Sequence, residues 1–106
     1  MCEERPYNKF GKVLLAALGS MTQVEVAHFL HVSPVAVNKW VNGVSRPQPV
    51  NLGHLCAIFG LSLEYLAILA GYDIRDIDVM EKIEGAYRDR LVLRGEQEAG
   101  YESVET

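Results

Sequence analysis

The sequence predicts an all-α fold in which five short helices form a bundle and one longer helix follows. Apolar residues recur at helical spacing along the chain, and no segment alternates between apolar and polar residues as a strand would. Capping residues precede the apolar repeats and glycines follow them, as helix starts and stops require. With 106 residues, 49% of them hydrophobic, the chain is long enough to bury one modest core.

The first two helices are predicted from the signals at their ends. Asn8 is expected to cap a first helix, and Gly19 follows the last apolar residues of that helix as a stop signal. The second helix opens with a capping-box pattern, in which Thr22 and Glu25 each satisfy a free backbone donor. Ala27 lies inside this second helix, where its small side chain allows the next helix to approach closely.

The third helix is expected to run from Ser33 to Asn42. Ser33 is its predicted cap, and Pro34 lies in the first turn, where a missing backbone N–H does no harm. Asn42 and Gly43 form a left-handed stop at its end. Val37 and Trp40 are expected to be buried, which leaves the opposite side of this helix exposed.

Two further helices complete the predicted bundle. Pro49 is expected to open a fourth helix that ends at Gly60. Ser62 caps a fifth helix, and Gly71 ends it. The apolar repeat of the fourth helix has the spacing of a buried helical face and consists of Leu52, Leu55, Cys56 and Phe59.

The pattern changes after residue 72, so residues 1–72 and 73–106 are predicted to form two units. Asp76 is the expected cap of a longer helix that carries one apolar stripe. The stripe consists of Ile77, Met80, Ile83, Tyr87 and Leu91. Three interpretations of it stay open: packing back on the bundle, a dimer interface, or docking of a different protein. From Gly95 onward, the polar and acidic sequence predicts a flexible tail.

The net charge of -4 is distributed unevenly along the chain. Residues 1–72 hold five basic and four acidic groups, whereas residues 73–106 hold five basic and ten acidic groups. The acidity therefore belongs to the C-terminal part and does not exclude nucleic acid as a partner of the first part. No apolar run approaches the roughly 20 residues that cross a bilayer, and the acidic start disfavours a secretory signal. Cys2 and Cys56 are expected to be reduced, so a cytoplasmic protein is predicted.

Residues at fixed offsets within and after the second and third helices are more specific than the helices themselves. They are Thr22, Gln23, Ala27, Val32, Val37, Trp40, Asn42, Gly43, Arg46 and Pro47. In these positions the chain resembles the lambda-repressor-like DNA-binding domains, the Cro/cI or Xre family of helix-turn-helix regulators. The resemblance covers about Asn8 to Tyr72, because "RPQPVNLGHLCAIFGLSLEYL" follows the family's fourth and fifth helices. Agreement over five helices is much more specific than a helix-turn-helix pattern alone.

The resemblance implies that the third helix lies in the major groove of double-stranded DNA. The implied base contacts are Ser33, Pro34, Val35, Asn38 and Lys39. The implied phosphate contacts are Gln23, Asn42, the Gly43 amide and Arg46. Lys39 favours guanine and Asn38 favours adenine among the purine edges. Gln23 is also expected to brace the third helix.

The chain departs from the family's usual residues at several of these positions. Pro34 and Val35 stand where polar residues are common, so they offer apolar contact with thymine methyl groups instead of hydrogen bonds. His31 stands at a turn position usually held by Gly, and it is expected to adopt a positive φ at some strain. Val44 lies in a loop that is often basic. These departures predict modest affinity for each protomer and dependence on dimerisation or cooperative binding.

The resemblance therefore implies a dimeric, sequence-specific DNA-binding transcription regulator of repressor type, with half-sites about 34 Å apart on its operator. The alternative is an antitoxin or adaptor protein that acts through its acidic C-terminal helix. No set of nucleophile, base and oxyanion donor can be assembled, so no enzyme activity is predicted. The spacing of His28, His31, His54 and Cys56 does not indicate a metal site, and no cofactor is expected.

Overall fold

A computed structural model of the chain describes the backbone of residues 5–103 and the side chains of residues 5–91. Within these residues the fold is all-helical, with six helices and no strand, in agreement with the prediction from the sequence. The helices are α1 (Asn8–Leu18), α2 (Gln23–Leu30), α3 (Pro34–Val41), α4 (Pro49–Phe59), α5 (Leu63–Leu69) and α6 (Ile77–Ser103).

All six helices contribute to one apolar core. Its most buried members include Phe10 and Leu14 of α1, Val37 of α3, Leu52 of α4 and Ile83 of α6. Because α6 shares this core with the other five helices, residues 73–91 are packed as part of the bundle. The boundary predicted at residue 72 is therefore a change in sequence pattern and does not separate two cores.

Side-chain caps start four of the helices at the predicted residues. The capping box at α2 is complete, since Glu25 N–H donates to Thr22 Oγ1 at 3.1 Å and Thr22 N–H donates to Glu25 Oε1 at 2.8 Å. Ser33 accepts a hydrogen bond from the first turn of α3, and Ser62 does the same for α5. Asp76 caps α6 through its carboxylate. Each cap satisfies a backbone donor that has no partner within its helix.

The predicted cap of α1 is wrong. Asn8 is the first helical residue, Tyr7 occupies the cap position, and the Tyr7 side chain makes no capping hydrogen bond. The Tyr7 N–H instead donates to the carbonyl of Gly43 at 3.1 Å. A contact between distant segments therefore fixes where α1 begins, which a local capping rule cannot predict.

Helix α6 packs against α4 at close range. A Cβ atom at Gly53 would lie against the Ile83 carbonyl, 2.8 Å from Ala86 Cβ and 2.9 Å from Tyr87 N, so only glycine fits there. Near the end of this contact, Arg90 Nη2 donates to the Phe29 carbonyl at 3.2 Å, which ties α6 to the C-terminal end of α2. Helix α6 is thus attached both to the bundle and to the helix that supports α3.

The apolar stripe of α6 is divided between core and surface. Met80 and Ile83 are 7% and 0% exposed, and Tyr87 is half-buried against the core. Ile77 and Leu91 are 71% and 36% exposed. The interpretation of Met80 and Ile83 as part of a dimer interface is therefore wrong. These two side chains pack within the chain and are already covered. Only the two exposed members remain candidates for contact with another molecule.

Helix α6 continues as far as Ser103. The flexible tail predicted from Gly95 is therefore helical up to Ser103, where Glu, Gln and Ala supply good helix formers. Residues 104–106 of that predicted tail lie outside the described residues. Among the described helices, none is by itself long and apolar enough to cross a membrane, and one pair, α1 and α2, meets the length and composition criteria only jointly, across a 97° bend.

Candidate nucleic-acid interface

The turn between α2 and α3 sets the geometry of the site. His31 adopts φ 59° and ψ 42°, so the predicted positive φ is confirmed, and its N–H donates to the carbonyls of Ala27 and His28. Val32 N–H also donates to the Ala27 carbonyl at 3.0 Å. The chain therefore reverses within a few residues and places the start of α3 beside the end of α2.

Helix α3 has one buried and one exposed side. Val37 and Trp40 are 0% and 4% exposed and hold the helix against the core. The exposed side carries all the residues for which the resemblance implies base contacts, namely Ser33, Pro34, Val35, Asn38 and Lys39. The sequence pattern thus assembles these five residues on a single accessible face.

A network of side-chain amides joins α2 to this face. Asn38 Nδ2 donates to Gln23 Oε1 at 3.1 Å, and Asn42 Nδ2 donates to Asn38 Oδ1 at 3.2 Å and to the Asn38 carbonyl at 2.9 Å. Gln23 therefore supports α3 from the first turn of α2, as the sequence predicts. We call these three residues the amide network.

The amide network leaves specific donors free. Gln23 accepts with its oxygen, so its own amide nitrogen keeps both hydrogens. Asn38 uses one of its two amide hydrogens on Gln23 and keeps the other. Lys39 is exposed next to this network, and its ammonium carries three donors. The donors available to a ligand on this side are therefore an amide of Gln23, an amide hydrogen of Asn38 and the Lys39 ammonium.

The structure does not leave the Gly43 amide available for a phosphate, so this predicted contact is corrected. Gly43 is buried, and its N–H donates to the Trp40 carbonyl at 3.1 Å. A Cβ atom at this position would lie 2.8 Å from Asn8 Cα. Gly43, with φ 75°, serves instead to end α3 and to let the start of α1 pack against it.

Arg46, for which the resemblance implies a phosphate contact, is also engaged within the protein, although one hydrogen bond leaves other guanidinium hydrogens without a protein acceptor. Its guanidinium carbon lies 4.0 Å from the centre of the Tyr72 ring and 5.7 Å from that of Tyr7. Its Nη1 donates to the Ala70 carbonyl at 3.0 Å. A guanidinium held between aromatic rings and a helix end is an internal link between the loop after α3, α5 and the residues before α1.

Tyr72 is held on its far side as well. Its hydroxyl donates to the Pro47 carbonyl at 2.7 Å. Burial raises the pKa of Tyr72, although the Arg46 guanidinium opposes the shift, so the phenol stays protonated and keeps donating. Arg46 and Tyr72 therefore position the loop that follows α3.

Arg5 contacts the end of α3, and the sequence offered no signal for this. Its Nη1 donates to the Asn42 carbonyl at 3.1 Å, across 37 positions of sequence. A cation at the C-terminal end of a helix is favourable because the last carbonyls carry partial negative charge. No local sequence pattern predicts that Arg5, which precedes α1, will contact the end of α3.

The residues considered for metal binding lie in different surroundings. Cys56 is buried, and burial raises its pKa to about 12, so the thiol remains protonated. Burial lowers the pKa of His54, and the nearby Arg90 lowers it further. Among the residues whose side chains are described, no cluster of three or more His, Cys, Asp or Glu could hold a metal ion.

Comparison with known proteins identifies the domain. The model of the Helix-turn-helix family matches residues 15–66, which span the region from α1 to α5. No curated protein and no solved structure matches the chain. The family consists of DNA-binding transcription regulators and is typically non-enzymatic. The match covers the two helices, the turn and the exposed face described above, and the chain therefore belongs, through residues 15–66, to the helix-turn-helix family of the Cro/cI type.

Proposed function

We propose that the protein is a sequence-specific transcription regulator that binds its operator as a homodimer and acts as a repressor. The observation that carries the proposal is the exposed face of α3, which is capped by Ser33 and braced by Gln23. A helix that reads bases must present its side chains in fixed positions, and both contacts hold α3 in place. Repression would follow from occupation of a promoter by the dimer, and the expected location is the cytoplasm, where that promoter lies.

The face of α3 would recognise DNA with few hydrogen bonds and substantial apolar contact. Val35 is 62% exposed at the start of α3, where an apolar side chain can pack on thymine methyl groups. Lys39 would donate to guanine, and the free amide hydrogen of Asn38 to adenine. Gln23 would donate its amide to a phosphate while its oxygen holds Asn38. Asn42 would contact a phosphate beyond α3 by giving up one of the two hydrogen bonds that its amide donates to Asn38.

A selection of bound fragments from random and genomic DNA tests the proposal. We expect a motif with two related half-sites whose centres are about 34 Å apart, because a two-fold dimer places one α3 in each half-site. Lys39→Ala should weaken binding to the selected site by roughly tenfold to a hundredfold and relax selectivity at the contacted positions. The control is Lys82→Ala, which removes an exposed lysine from α6.

Two outcomes would contradict the proposal. Enrichment of no sequence would exclude specific recognition, even if the protein bound DNA through charge alone. If the double variant Lys39→Ala, Asn38→Ala binds the selected site with unchanged affinity and selectivity, α3 does not read the bases. The control variant makes the second outcome interpretable, since it separates loss of a specific contact from loss of one positive charge.

A protein-binding role for α6, as in an antitoxin or adaptor, is the second candidate. It is favoured by the ten acidic groups of residues 73–106 and by the exposure of Ile77 and Leu91. Deletion of residues 92–106 keeps the buried part of α6 and so tests this candidate without opening the core. If the shortened protein remains a dimer and still binds the selected site, residues 92–106 are needed neither for dimerisation nor for DNA binding. They are then available to a protein partner.

A further inference from the structure

The residues before and at the start of α1 lie along the C-terminal end of α3. We call Arg5–Lys9 the N-terminal arm. Its Arg5 donates to the Asn42 carbonyl at 3.1 Å, and its Tyr7 N–H donates to the Gly43 carbonyl at 3.1 Å. The backbones of Asn8 and Gly43 are in van der Waals contact, since no Cβ atom fits between them. The arm therefore has a fixed position relative to the helix proposed to enter the major groove.

The arm carries two cations on one surface. Arg5 and Lys9 are both exposed and line the same recess of about 270 Å³, together with Pro6, Asn8, Ile68 and Leu69. The ion pair within residues 5–91 joins Arg75 and Asp73, so no described carboxylate neutralises either cation of the arm. Helix α1 has no acidic residue at all, and Lys12 follows Lys9 at the next turn. The arm is therefore a positively charged surface next to α3.

We propose that the N-terminal arm is a clamp for the DNA backbone, in which Arg5 and Lys9 each bind a phosphodiester group beside the groove that α3 occupies. This inference rests on the proposed DNA-binding function. It assigns to the arm a backbone contact next to Gly43, whose own N–H is engaged by the Trp40 carbonyl. Arg5 spends one of its five guanidinium hydrogens on Asn42, which leaves donors for a phosphate.

The dimensions of the groove support the assignment. Helix α3 has eight residues and is therefore about 12 Å long, which is close to the width of the major groove of B-DNA. When the N-terminal part of such a helix faces the bases, its C-terminal end reaches the phosphate wall. The carbonyls at that end are unfavourable neighbours for a phosphate, and Arg5 offsets their partial negative charge at the Asn42 carbonyl.

Arg46 acts as a positioning residue for this clamp. Its guanidinium lies between the rings of Tyr7 and Tyr72, and Tyr7 is the middle residue of the arm. The arm is thus attached to the bundle by the Arg46 side chain and to α3 by backbone contacts. Such attachment reduces the conformational entropy that the arm loses on binding DNA, so the arm is preorganised for binding.

The salt dependence of binding tests the clamp. The probe is a short duplex of random sequence, and the full-length protein is compared with Arg5→Gln and Lys9→Gln. Each lost phosphate contact should lower the slope of log K against log salt by about 0.9 per protomer. Both variants should therefore bind more weakly at low salt, with the same loss for every sequence. Lys82→Gln, on α6, is the matched control and should leave the slope unchanged.

Further variants separate charge from structure. Arg5→Lys keeps the charge and should retain most of the slope. If Arg5 had only a structural role, Arg5→Lys and Arg5→Gln would change the slope equally. Combined Glu3→Gln and Glu4→Gln removes two carboxylates that precede the arm in sequence and should strengthen binding. Thermal unfolding of each variant shows whether the bundle is intact.

The outcomes distinguish this inference from the proposed function. If the unmodified protein binds the duplex and selects a specific site, but Arg5→Gln and Lys9→Gln leave the slope unchanged, the clamp is overturned while the function stands. If the unmodified protein binds no duplex even at low salt, both are overturned. A reduced slope in both variants, with a normal slope in the Lys82→Gln control, supports the clamp.

Discussion

The exposed face of α3 and the contact between α4 and α6 are built in opposite ways. The face of α3 is held by hydrogen bonds between exposed amides, and its outer side chains have few protein neighbours. The α4–α6 contact is apolar and so close that a single Cβ atom at Gly53 does not fit. Substitutions on the first surface should therefore change DNA binding with little effect on stability, whereas substitutions in the second should change stability first.

The largest effect is expected from Ile83→Ala at the α4–α6 contact. Ile83 is fully buried, and removal of a buried aliphatic side chain typically costs about 2–5 kcal/mol through lost burial and the cavity left behind. Ile77→Ala is the matched control, because Ile77 is 71% exposed on the same helix and should change stability by less than about 0.5 kcal/mol. Urea unfolding measures both. Equal effects of the two substitutions would mean that α6 does not pack on the bundle in solution.

Gly53→Ala and Gly85→Ala probe the same pair of helices at two glycines with different surroundings. The added methyl group at Gly53 meets the backbone of α6, so we expect a loss of about 1–3 kcal/mol. At Gly85 nothing lies within 4 Å of the added atom, and alanine in a helix should stabilise the fold by about 0.5–1 kcal/mol. Thermal unfolding should thus shift in opposite directions. A shift in the same direction would show that the two helices are less closely packed than described.

Gln23→Ala and Asn38→Ala test the exposed face. Each substitution should reduce the free energy of unfolding by about 1 kcal/mol or less, because the hydrogen bond between the two side chains is exposed to water. Each should weaken binding to a selected operator more than it weakens the fold. The double variant should lose less affinity than the sum of the two single variants, since Asn38 holds the Gln23 amide in place. Additive losses would show that the two side chains act independently.

The smallest expected effect concerns pH. Burial lowers the pKa of His54 in the folded protein, and Arg90 lowers it further, while Asp89 and the backbone of Ala86 act against the shift. The unfolded chain therefore binds the proton more readily, so this contribution to stability is complete above the ordinary pKa of 6.5 and declines as the pH falls below it. The melting temperature of the unmodified protein should fall more than that of His54→Gln over this range. If the melting temperatures of the two proteins fall in parallel as the pH is lowered, His54 is not the group responsible.

Most of the fold could be predicted from short stretches of sequence. The capping box at Thr22 and Glu25, the Ser33 cap and the positive φ of His31 each depend on atoms within a few residues, so local rules apply. The exposed side of α3 also follows from helical periodicity once Val37 and Trp40 are placed in the core. Recognition of the family from its fixed offsets agrees with the match over residues 15–66.

The errors in the predicted site concern contacts between distant segments. The contacts of Arg46 with the rings of Tyr7 and Tyr72 were not predicted, because these residues lie 39 and 26 positions away in sequence. Gly43 was expected to offer its amide, but the start of α1 packs over it. The sequence shows that a residue is basic or lacks a side chain, and it does not show which distant group that residue will meet.

The helices, the caps of α2, α3, α5 and α6, and the residues that face outward from α3 could thus be predicted from sequence, because these depend on local hydrogen bonds and helical spacing. Which cations remain exposed and which apolar residues of α6 are covered depends instead on how distant segments pack together. Arg5 and Arg46 have the same side chain, yet one lies exposed at the end of α3 and the other is held between aromatic rings. Their difference arises from how the bundle packs, since packing determines whether a charge meets a protein partner or remains available to an anion.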